Sequence, residues 1–191
     1  MFTMSGLTSV GYFLVTTLFG LVTFVLWIRL FIRYFSIGPF NPFVQSIYQL
    51  TNPVIIPIQR YITRGAMVKS RYDLACFGLL VGCELFKFML LNVFFLNQPL
   101  SILFLGLNVM ASLIIEPCNL MFYAIIARAL MSWFSPHAQH PMLAILFAIT
   151  EPLLRVFRRR LPSVGAFDFS PLAAIITLEV IVLFVGSFTL G

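Results

Sequence analysis

Two long stretches without a charged residue dominate this chain. Residues 1–28 and residues 88–115 contain no Asp, Glu, Lys or Arg, and each is longer than the roughly 20 apolar residues that a helix needs to cross a bilayer. Only 9% of the 191 residues are charged and 61% are hydrophobic, a composition outside the range of water-soluble domains. The sequence therefore predicts an all-α membrane protein.

Four apolar segments are long enough to cross the membrane, at about residues 7–33, 73–96, 100–134 and 171–190. The third would be about 52 Å long at about 1.5 Å per residue, against a hydrocarbon core of about 30 Å. It therefore tilts or kinks as one helix, or breaks at Glu116 and Pro117 into two spans. Because positively charged loops stay in the cytoplasm, we favour four spans, which place both basic connectors inside and both termini outside (N-out/C-out).

The second half of the chain repeats the first. Asp73 aligns with Asp168 and Glu84 with Glu179 after a contraction of four residues, and a shift of 99 positions aligns seven identical pairs before it: Arg29 and Arg128, Phe35 and Phe134, Ser36 and Ser135, Pro42 and Pro141, Thr51 and Thr150, Pro53 and Pro152, and Arg60 and Arg159. Self-similarity of this kind indicates a tandem duplication. The first repeat covers residues 1–98, with spans at 7–33 and 73–96, and the second covers residues 99–191, with spans at 100–134 and 171–190.

An amphipathic connector joins the two spans of each repeat. Apolar residues recur there at helical spacing on one stripe, formed by Phe43, Ile47, Leu50 and Val54 in the first connector and by Met142, Leu146, Ile149 and Leu153 in the second. A helix with one apolar face and basic neighbours is typical of the membrane interface, where cations meet anionic headgroups. Two cytoplasmic linker helices packed on each other are the alternative. Pro53 and Pro152 are expected to end or kink these helices.

Four ionisable residues fall near the middle of predicted spans: Glu84, Lys87, Glu116 and Glu179. Such groups are costly in lipid and normally face a partner or water. Glu84 and Lys87 are three residues apart, so they can form an ion pair on one helix face. The four residues could form an ion site or polar relay, or they could be packing contacts between helices.

Charged residues also mark the cytoplasmic ends of the spans. Arg29 and Arg128 lie where their long side chains can reach the headgroups, and Asp73 and Asp168 begin the second and fourth spans, where a carboxylate caps a helix. In the second repeat, Ser170 could be the cap instead, with Pro171 in the first turn. We hypothesise that Arg29 pairs with Asp73 and Arg128 with Asp168.

The sequence contains no clear motif for a metal site, a cofactor site or a catalytic site. His137 and His140 are flanked by prolines and have no third ligand nearby, so an interfacial loop is the better interpretation than a metal site. No nucleophile, phosphate-binding or zinc-protease motif is present. Lys and Arg number 12 against 6 Asp and Glu, but membrane orientation explains this excess without nucleic acid. We therefore expect no cofactor and no enzymatic activity.

Two stretches resemble a known family signature. They are "NPFVQSIYQLTNPVIIPIQRYI" followed by "YDLA" in the first repeat, and "SWFSPHAQHPMLAILFAITEPLLRVFRRRLPSVGAFDFSPL" in the second. Both are similar to the YggT (YlmG) family. The matching residues are Asn41, Pro42, Thr51, Pro53, Pro57, Ile58, Arg60 and Asp73, and Thr150, Glu151, Pro152, Arg158, Arg159, Pro162, Gly165, Asp168, Ser170 and Pro171.

The resemblance implies a multi-pass protein of the bacterial inner membrane. It also implies chloroplast relatives linked to cytochrome b6 haem attachment and nucleoid distribution, and associations with cell division and with osmotic or potassium homeostasis. We expect a scaffold or an assembly or homeostasis factor that contacts anionic lipid and a membrane-protein partner or a second copy. The alternative is a small ion or osmolyte transporter or channel component.

Overall fold

A computed structural model describes residues 6–63, 73–96, 101–134, 141–160 and 168–189, and within these ranges all regular structure is helical. The six helices are α1 (Gly6–Tyr34), α2 (Pro42–Thr63), α3 (Leu74–Leu91), α4 (Ile102–Phe134), α5 (Pro141–Arg158) and α6 (Ser170–Gly186), and a wider π-type turn at Asn92–Leu96 extends α3. Three helical stretches are long and apolar enough to cross a membrane: Gly6–Tyr34, Leu74–Phe95 and Ile102–Met131. Helix α6 is apolar but shorter, with 17 residues.

The long third segment is one helix, as the charge argument favoured. Helix α4 runs through Pro117 without a break over 33 residues, which is about 50 Å at about 1.5 Å per residue. Proline removes one backbone hydrogen bond there, and the rest of the helix remains continuous around it.

Helix α1 ends in a turn that aims the chain into α2. Ser36 has a positive φ of 53°, and the N–H of Ile37 donates to the carbonyl of Ile32 while that of Ser36 donates to Arg33. This is the usual way to stop a helix with one left-handed residue. Asn41 then caps α2, because its side-chain oxygen accepts from the N–H of Phe43 at 3.0 Å.

The two halves have the same internal arrangement. Helix α1 packs along α3 with α2 against both, and α4 packs along α6 with α5 against both. Leu26 and Ile55 lie in the first core, and Ile125 and Leu154 lie in the second, each 99 positions later. Side chains 99 positions apart therefore occupy equivalent core positions in the two halves.

Helices α2 and α5 touch each other at one end of the bundle. A shared apolar cluster consists of Ile32, Val44, Ile47, Ile145 and Ile149. In addition, the side-chain amide of Asn41 donates to the backbone carbonyl of Pro141 at 2.7 Å. The two connector helices are therefore packed against each other as a pair.

The buried face of α2 differs from the apolar stripe that the sequence suggested. Ile47 of that stripe is buried, but Leu50 and Val54 are exposed, and the buried face continues through Thr51 and Ile55. A polar residue displaces leucine from the interior because the hydroxyl of Thr51 binds a buried arginine. Pro53 and Pro152 do not end their helices: α2 and α5 continue past them, with both proline rings facing outward.

Candidate functional site

Asp73 is the centre of a buried charge cluster at the connector end of the first half. Its Oδ1 accepts from the N–H of Cys76 at 3.2 Å, which caps α3 as the sequence predicted. Its Oδ2 receives Arg29 Nε at 3.3 Å and Arg33 Nη1 at 3.1 Å. The predicted contact between Arg29 and Asp73 is confirmed, whereas Arg33 was not expected.

Arg29 also reaches the connector. Its Nη1 donates to Thr51 Oγ1 and to Asn52 Oδ1, while the Thr51 hydroxyl donates onward to the carbonyl of Ile47 at 2.7 Å. The guanidinium lies over the ring of Tyr48, 4.7 Å from its centroid. Burial raises the pKa of the Tyr48 phenol, although Arg29 and Arg33 act to lower it. One arginine thus joins α1, α2 and α3.

The second half repeats the link between arginine and threonine. Arg128 Nη1 donates to Thr150 Oγ1 at 2.9 Å, and Thr150 donates to the carbonyl of Leu146 at 2.6 Å. The acid differs, because Arg128 Nη2 binds Glu151 Oε2 at 2.9 Å. The guanidinium of Arg128 lies 4.0 Å from the centroid of the Phe147 ring.

The predicted pair of Arg128 and Asp168 is wrong. Asp168 Oδ2 instead receives Arg158 Nε at 2.7 Å, and Arg158 Nη1 binds Glu151 Oε1 at 3.0 Å. The reason is Glu151, which occupies the aligned position of Asn52 and satisfies Arg128 without a second carboxylate. Helix α6 begins at Ser170 with Pro171 in its first turn, and Asp168 Oδ1 accepts from the N–H of Ser170 at 2.9 Å. Ser170 is therefore inside the helix rather than its cap.

Hydrogen bonds favour the ionised form of Asp168. Its slight burial acts to raise the pKa of the carboxyl, but the hydrogen bonds from Ser170 and Arg158 outweigh burial and lower this pKa below its ordinary value. Asp168 is therefore ionised at neutral pH.

Glu84, Lys87 and Glu116 meet inside the bundle. Lys87 Nζ lies 2.7 Å from Glu84 Oε1 and 3.6 Å from Glu116 Oε1. Helix α1 supplies two further donors to Glu116: Thr23 Oγ1 donates to Oε1 at 3.1 Å and Trp27 Nε1 to Oε2 at 2.9 Å. Glu84 is fully buried, and its Oε2 has no hydrogen-bond partner among the described residues.

Glu179 lies apart from these three residues. It is exposed on α6 and lines a groove of about 480 Å³ between α4 and α6, together with Asn119 and Tyr123. The structure therefore brings three of the four predicted intramembrane residues together and leaves the fourth on the outer surface of the bundle.

The remaining predicted residues lie at the edges of the connectors. Pro42 and Pro141 are the first residues of α2 and α5. Arg60 and Arg159 are exposed near the connector C-termini, with Arg155 and Arg160 beside the latter. Basic residues Arg64, Lys69 and Arg71 and the histidines His137 and His140 lie outside the described residues. In the described ranges, no group of three His, Cys, Asp or Glu residues could hold a metal ion.

Four residues in these clusters were not predicted as partners from the sequence: Thr23, Trp27, Arg33 and Glu151. The sequence carried a signal for three of them. Thr23 and Trp27 are four residues apart, on one face of α1. Glu151 aligns with Asn52, so a charge was visible next to the repeated threonine.

Comparisons with known proteins agree on the family. The sequence model of the CCB3/YggT family matches residues 8–94 and 107–189. A protein of Escherichia coli strain K12 called "Uncharacterized protein YggT" is 32% identical over 170 residues, covering 88% of this chain and 85% of the relative.

A Vibrio alginolyticus protein described as "Uncharacterized protein in proC 3'region" is 33% identical over 171 residues, covering 87% of this chain and 88% of the relative. An uncharacterized protein of Haemophilus influenzae is 24% identical over 181 residues, covering 91% and 88%. No solved structure matches the chain. The family model covers most of the chain, and the Escherichia coli relative is 32% identical over 88% of it. The chain therefore belongs to the CCB3/YggT family.

Proposed function

We propose that this protein is a non-enzymatic scaffold or assembly factor of the bacterial inner membrane. In this proposal, α2 and α5 form a two-helix platform at the inner leaflet that engages lipid and a membrane-protein partner. The observation that carries the proposal is the joined pair of connectors, each fixed to the bundle by an arginine–threonine hydrogen bond. The two arginine–threonine contacts thus fix the position of the α2–α5 platform, as a scaffold requires.

The proposed topology has four spans with both termini outside. Helix α6, with 17 residues, is at the lower limit for a spanning helix, and the contact between α2 and α5 requires both to be at one end of the bundle. Shared packing at positions 99 apart supports the tandem duplication behind this arrangement.

Cysteine labelling in intact and permeabilised cells tests this topology. The variants Arg60→Cys and Arg159→Cys place a thiol at the exposed end of each connector, in a background without the three native cysteines. Both thiols should react with a membrane-impermeant reagent only after permeabilisation. Reaction of either one in intact cells would overturn the four-span arrangement.

Lipid is the first proposed partner of the platform. Leu50 and Val54 are exposed beside an apolar groove of about 410 Å³ between α1, α2 and α3, which suits an acyl chain. Arg155, Arg159 and Arg160 are exposed at the end of α5, and each cation near an anionic leaflet contributes about 1 kcal/mol.

Site-specific photocross-linking in native membranes tests for the protein partner. Gln49 on α2 and Arg155 on α5 are exposed polar positions on the platform, and Leu172 on α6 is an exposed apolar control. A photoreactive residue at either platform position should give one discrete protein adduct that is absent at Leu172. Equal adduct patterns at all three positions would contradict a dedicated docking surface.

A second copy of the chain is the proposed occupant of the groove at Glu179. The side chains of Glu179 and Asn119 have no hydrogen bond or ion pair among the described residues. A carboxyl facing lipid at mid-helix costs about 2.5–3.5 kcal/mol when charged. Glu179→Leu should therefore reduce chemically cross-linked dimer in native membranes. Thr177→Leu is the matched control, because Thr177 is exposed and its hydroxyl already bonds the carbonyl of Ala173.

A small ion or osmolyte transporter is the second candidate, favoured by the cluster of Glu84, Lys87 and Glu116 inside the bundle. Flux assays on purified protein in proteoliposomes separate the two candidates. A scaffold should leave potassium and osmolyte leakage at the level of empty vesicles. Flux that is lost in Lys87→Met protein would make the transporter the better proposal.

A further inference from the structure

The cluster of Glu84, Lys87 and Glu116 contains an unbalanced charge. Two carboxylates share one ammonium, so the group has a net charge of −1 if every member is ionised. The surrounding helices are apolar, and an uncompensated charge in such a place is strongly disfavoured. A bound cation would restore neutrality, and the smallest one is a proton.

The hydrogen bonds identify where this proton fits. Both oxygens of Glu116 accept from neutral donors, Thr23 and Trp27, as suits a carboxylate that offers only acceptors. Glu84 receives Lys87 on Oε1, but its Oε2 has no donor among the described residues, and the side chain is fully buried. The carboxyl groups of Glu84 and Glu116 are neighbours, because Lys87 Nζ lies 2.7 Å from Glu84 Oε1 and 3.6 Å from Glu116 Oε1. Two carboxyl groups attract each other only when one carries a proton to donate.

We propose that Glu84 and Glu116 bind one proton between them, forming a built-in proton site in the middle of the membrane bundle. The carboxylate of Glu84 takes the proton to become a carboxylic acid, and its O–H donates to the carboxylate of Glu116. Lys87 remains an ammonium and neutralises the remaining negative charge. The site does not depend on the proposed scaffold role, and it stands or falls separately.

The other groups around this site do not supply a competing charge. Helix α1 faces it with Thr23 and Trp27, neither of which is charged at neutral pH. Helix α3 adds Cys83 next to Glu84, and an ordinary thiol carries no charge at neutral pH. Helix α4 contributes Glu116 alone among its charged residues, since Arg128 is bound to Thr150 and Glu151. Arg29 of α1 is bound to Asp73.

The small number of acids makes the proposal measurable. The chain has six Asp and Glu residues in all, and Asp73, Glu151 and Asp168 are each bound to arginine. Infrared spectroscopy detects the carbonyl stretch of a protonated carboxylic acid. The parent protein for this test is Glu179→Gln, which removes the exposed acid on α6 but keeps a polar group there.

Purified Glu179→Gln protein in lipid vesicles at neutral pH should show one carboxylic acid band per chain. Labelling of glutamate with carbon-13 at the side-chain carboxyl should shift this band, which assigns it to Glu rather than Asp. The band should disappear as the pH is raised. No band in the parent protein at neutral pH would overturn the proposal without any change to the cluster itself.

Variants of the cluster then locate the proton. In the parent background, Glu84→Gln and Glu116→Gln should each abolish the band, because either change leaves one carboxylate balanced by Lys87. Lys87→Met should double the band, since both carboxyls must then be neutral. Asp168→Asn is the matched control and should leave the band unchanged. Persistence of the band in either glutamine variant would overturn a shared site.

Discussion

The two arginine clusters at the connector end differ in where their second arginine comes from. In the first half, Arg29 binds Thr51 and shares Asp73 with Arg33, one turn further along α1. In the second half, Arg128 binds Thr150 in the same way, but the second arginine is Arg158 on α5. The arginine–threonine contact is common to both halves, whereas the acids and the second cation have changed place.

The sequence changes behind this difference are compensating. Glu151 and Arg158 align with Asn52 and Gln59 of the first connector, so the second connector has both charges that the first lacks. The first cluster is also drier: the side chains of Arg29 and Asp73 are 4% and 1% exposed, against 39% and 42% for Arg158 and Asp168. The first half therefore depends on a buried ion pair, and the second on a chain of surface ion pairs.

Asp73→Asn should have the largest effect on stability. Asparagine caps a helix as well as aspartate does, so the change removes only the charge and leaves Arg29 buried without a carboxylate. The loss of one member of a buried pair costs about 3–5 kcal/mol. We expect a decrease of this size in the free energy of unfolding, measured by titration with denaturing detergent in mixed micelles.

The aligned change Asp168→Asn is the control for this prediction. An exposed ion pair contributes about 0.2–1 kcal/mol, so the variant should unfold almost like the wild-type protein. Equal losses in the two variants would show that burial is not what separates the clusters.

Arg29→Met should cost less than Asp73→Asn, about 2–3 kcal/mol for the charged hydrogen bonds that it removes, because Asp73 keeps Arg33. The same measurement on Arg128→Met provides the comparison. There the loss should be smaller, since Glu151 keeps Arg158 and both are partly exposed. A larger loss in Arg128→Met would reverse the proposed ranking of the two halves.

The residues of these clusters could be predicted from the sequence better than the contacts between them. The alignment of the two repeats predicts Arg29, Thr51 and Asp73 and their counterparts, with Asp73 and Asp168 aligned after the four-residue contraction. The contact of Arg29 with Asp73 follows from their shared depth. Depth alone does not determine direction around a helix. Adjacent residues differ by about 100° at 3.6 residues per turn, so the apolar stripe of α2 missed the buried face, and Glu179 was grouped with residues that it does not meet.

Partner choice is also decided by neighbours that hydropathy does not register. Glu116 is joined to α1 by one hydroxyl and one indole N–H, from Thr23 and Trp27, inside a run without any charge. Glu151 diverts Arg128 from Asp168 through a single substitution relative to Asn52. Such choices depend on distances of a few ångströms between helices, which only the packed structure specifies.

Glu151→Asn should convert the second cluster toward the composition of the first. Arg128 would keep Thr150 and lose its carboxylate, and Arg158 would keep Asp168. Because these groups are partly exposed, we expect a loss of about 1 kcal/mol in the free energy of unfolding, at the upper end for such pairs. The counterpart change Asn52→Ala, which removes only a neutral acceptor from Arg29, is the matched comparison.

The smallest of these effects on the free energy of unfolding should come from acidic pH, through Asp168 in the second cluster. The pKa of Asp168 is lowered in the folded protein by its hydrogen bonds, so its contribution to stability is complete above the unfolded pKa of about 3.9. That contribution disappears as the pH falls through the lower folded value. It should be well below about 1 kcal/mol because the pair is exposed. The stability difference between wild type and Asp168→Asn, measured from pH 6 downward, should therefore stay constant to about pH 4 and then shrink. A stability difference that vanishes well above pH 4 would mean that Arg158 does not stabilise the Asp168 carboxylate. It would contradict the proposal that the ion pair of Arg158 with Asp168 contributes to stability.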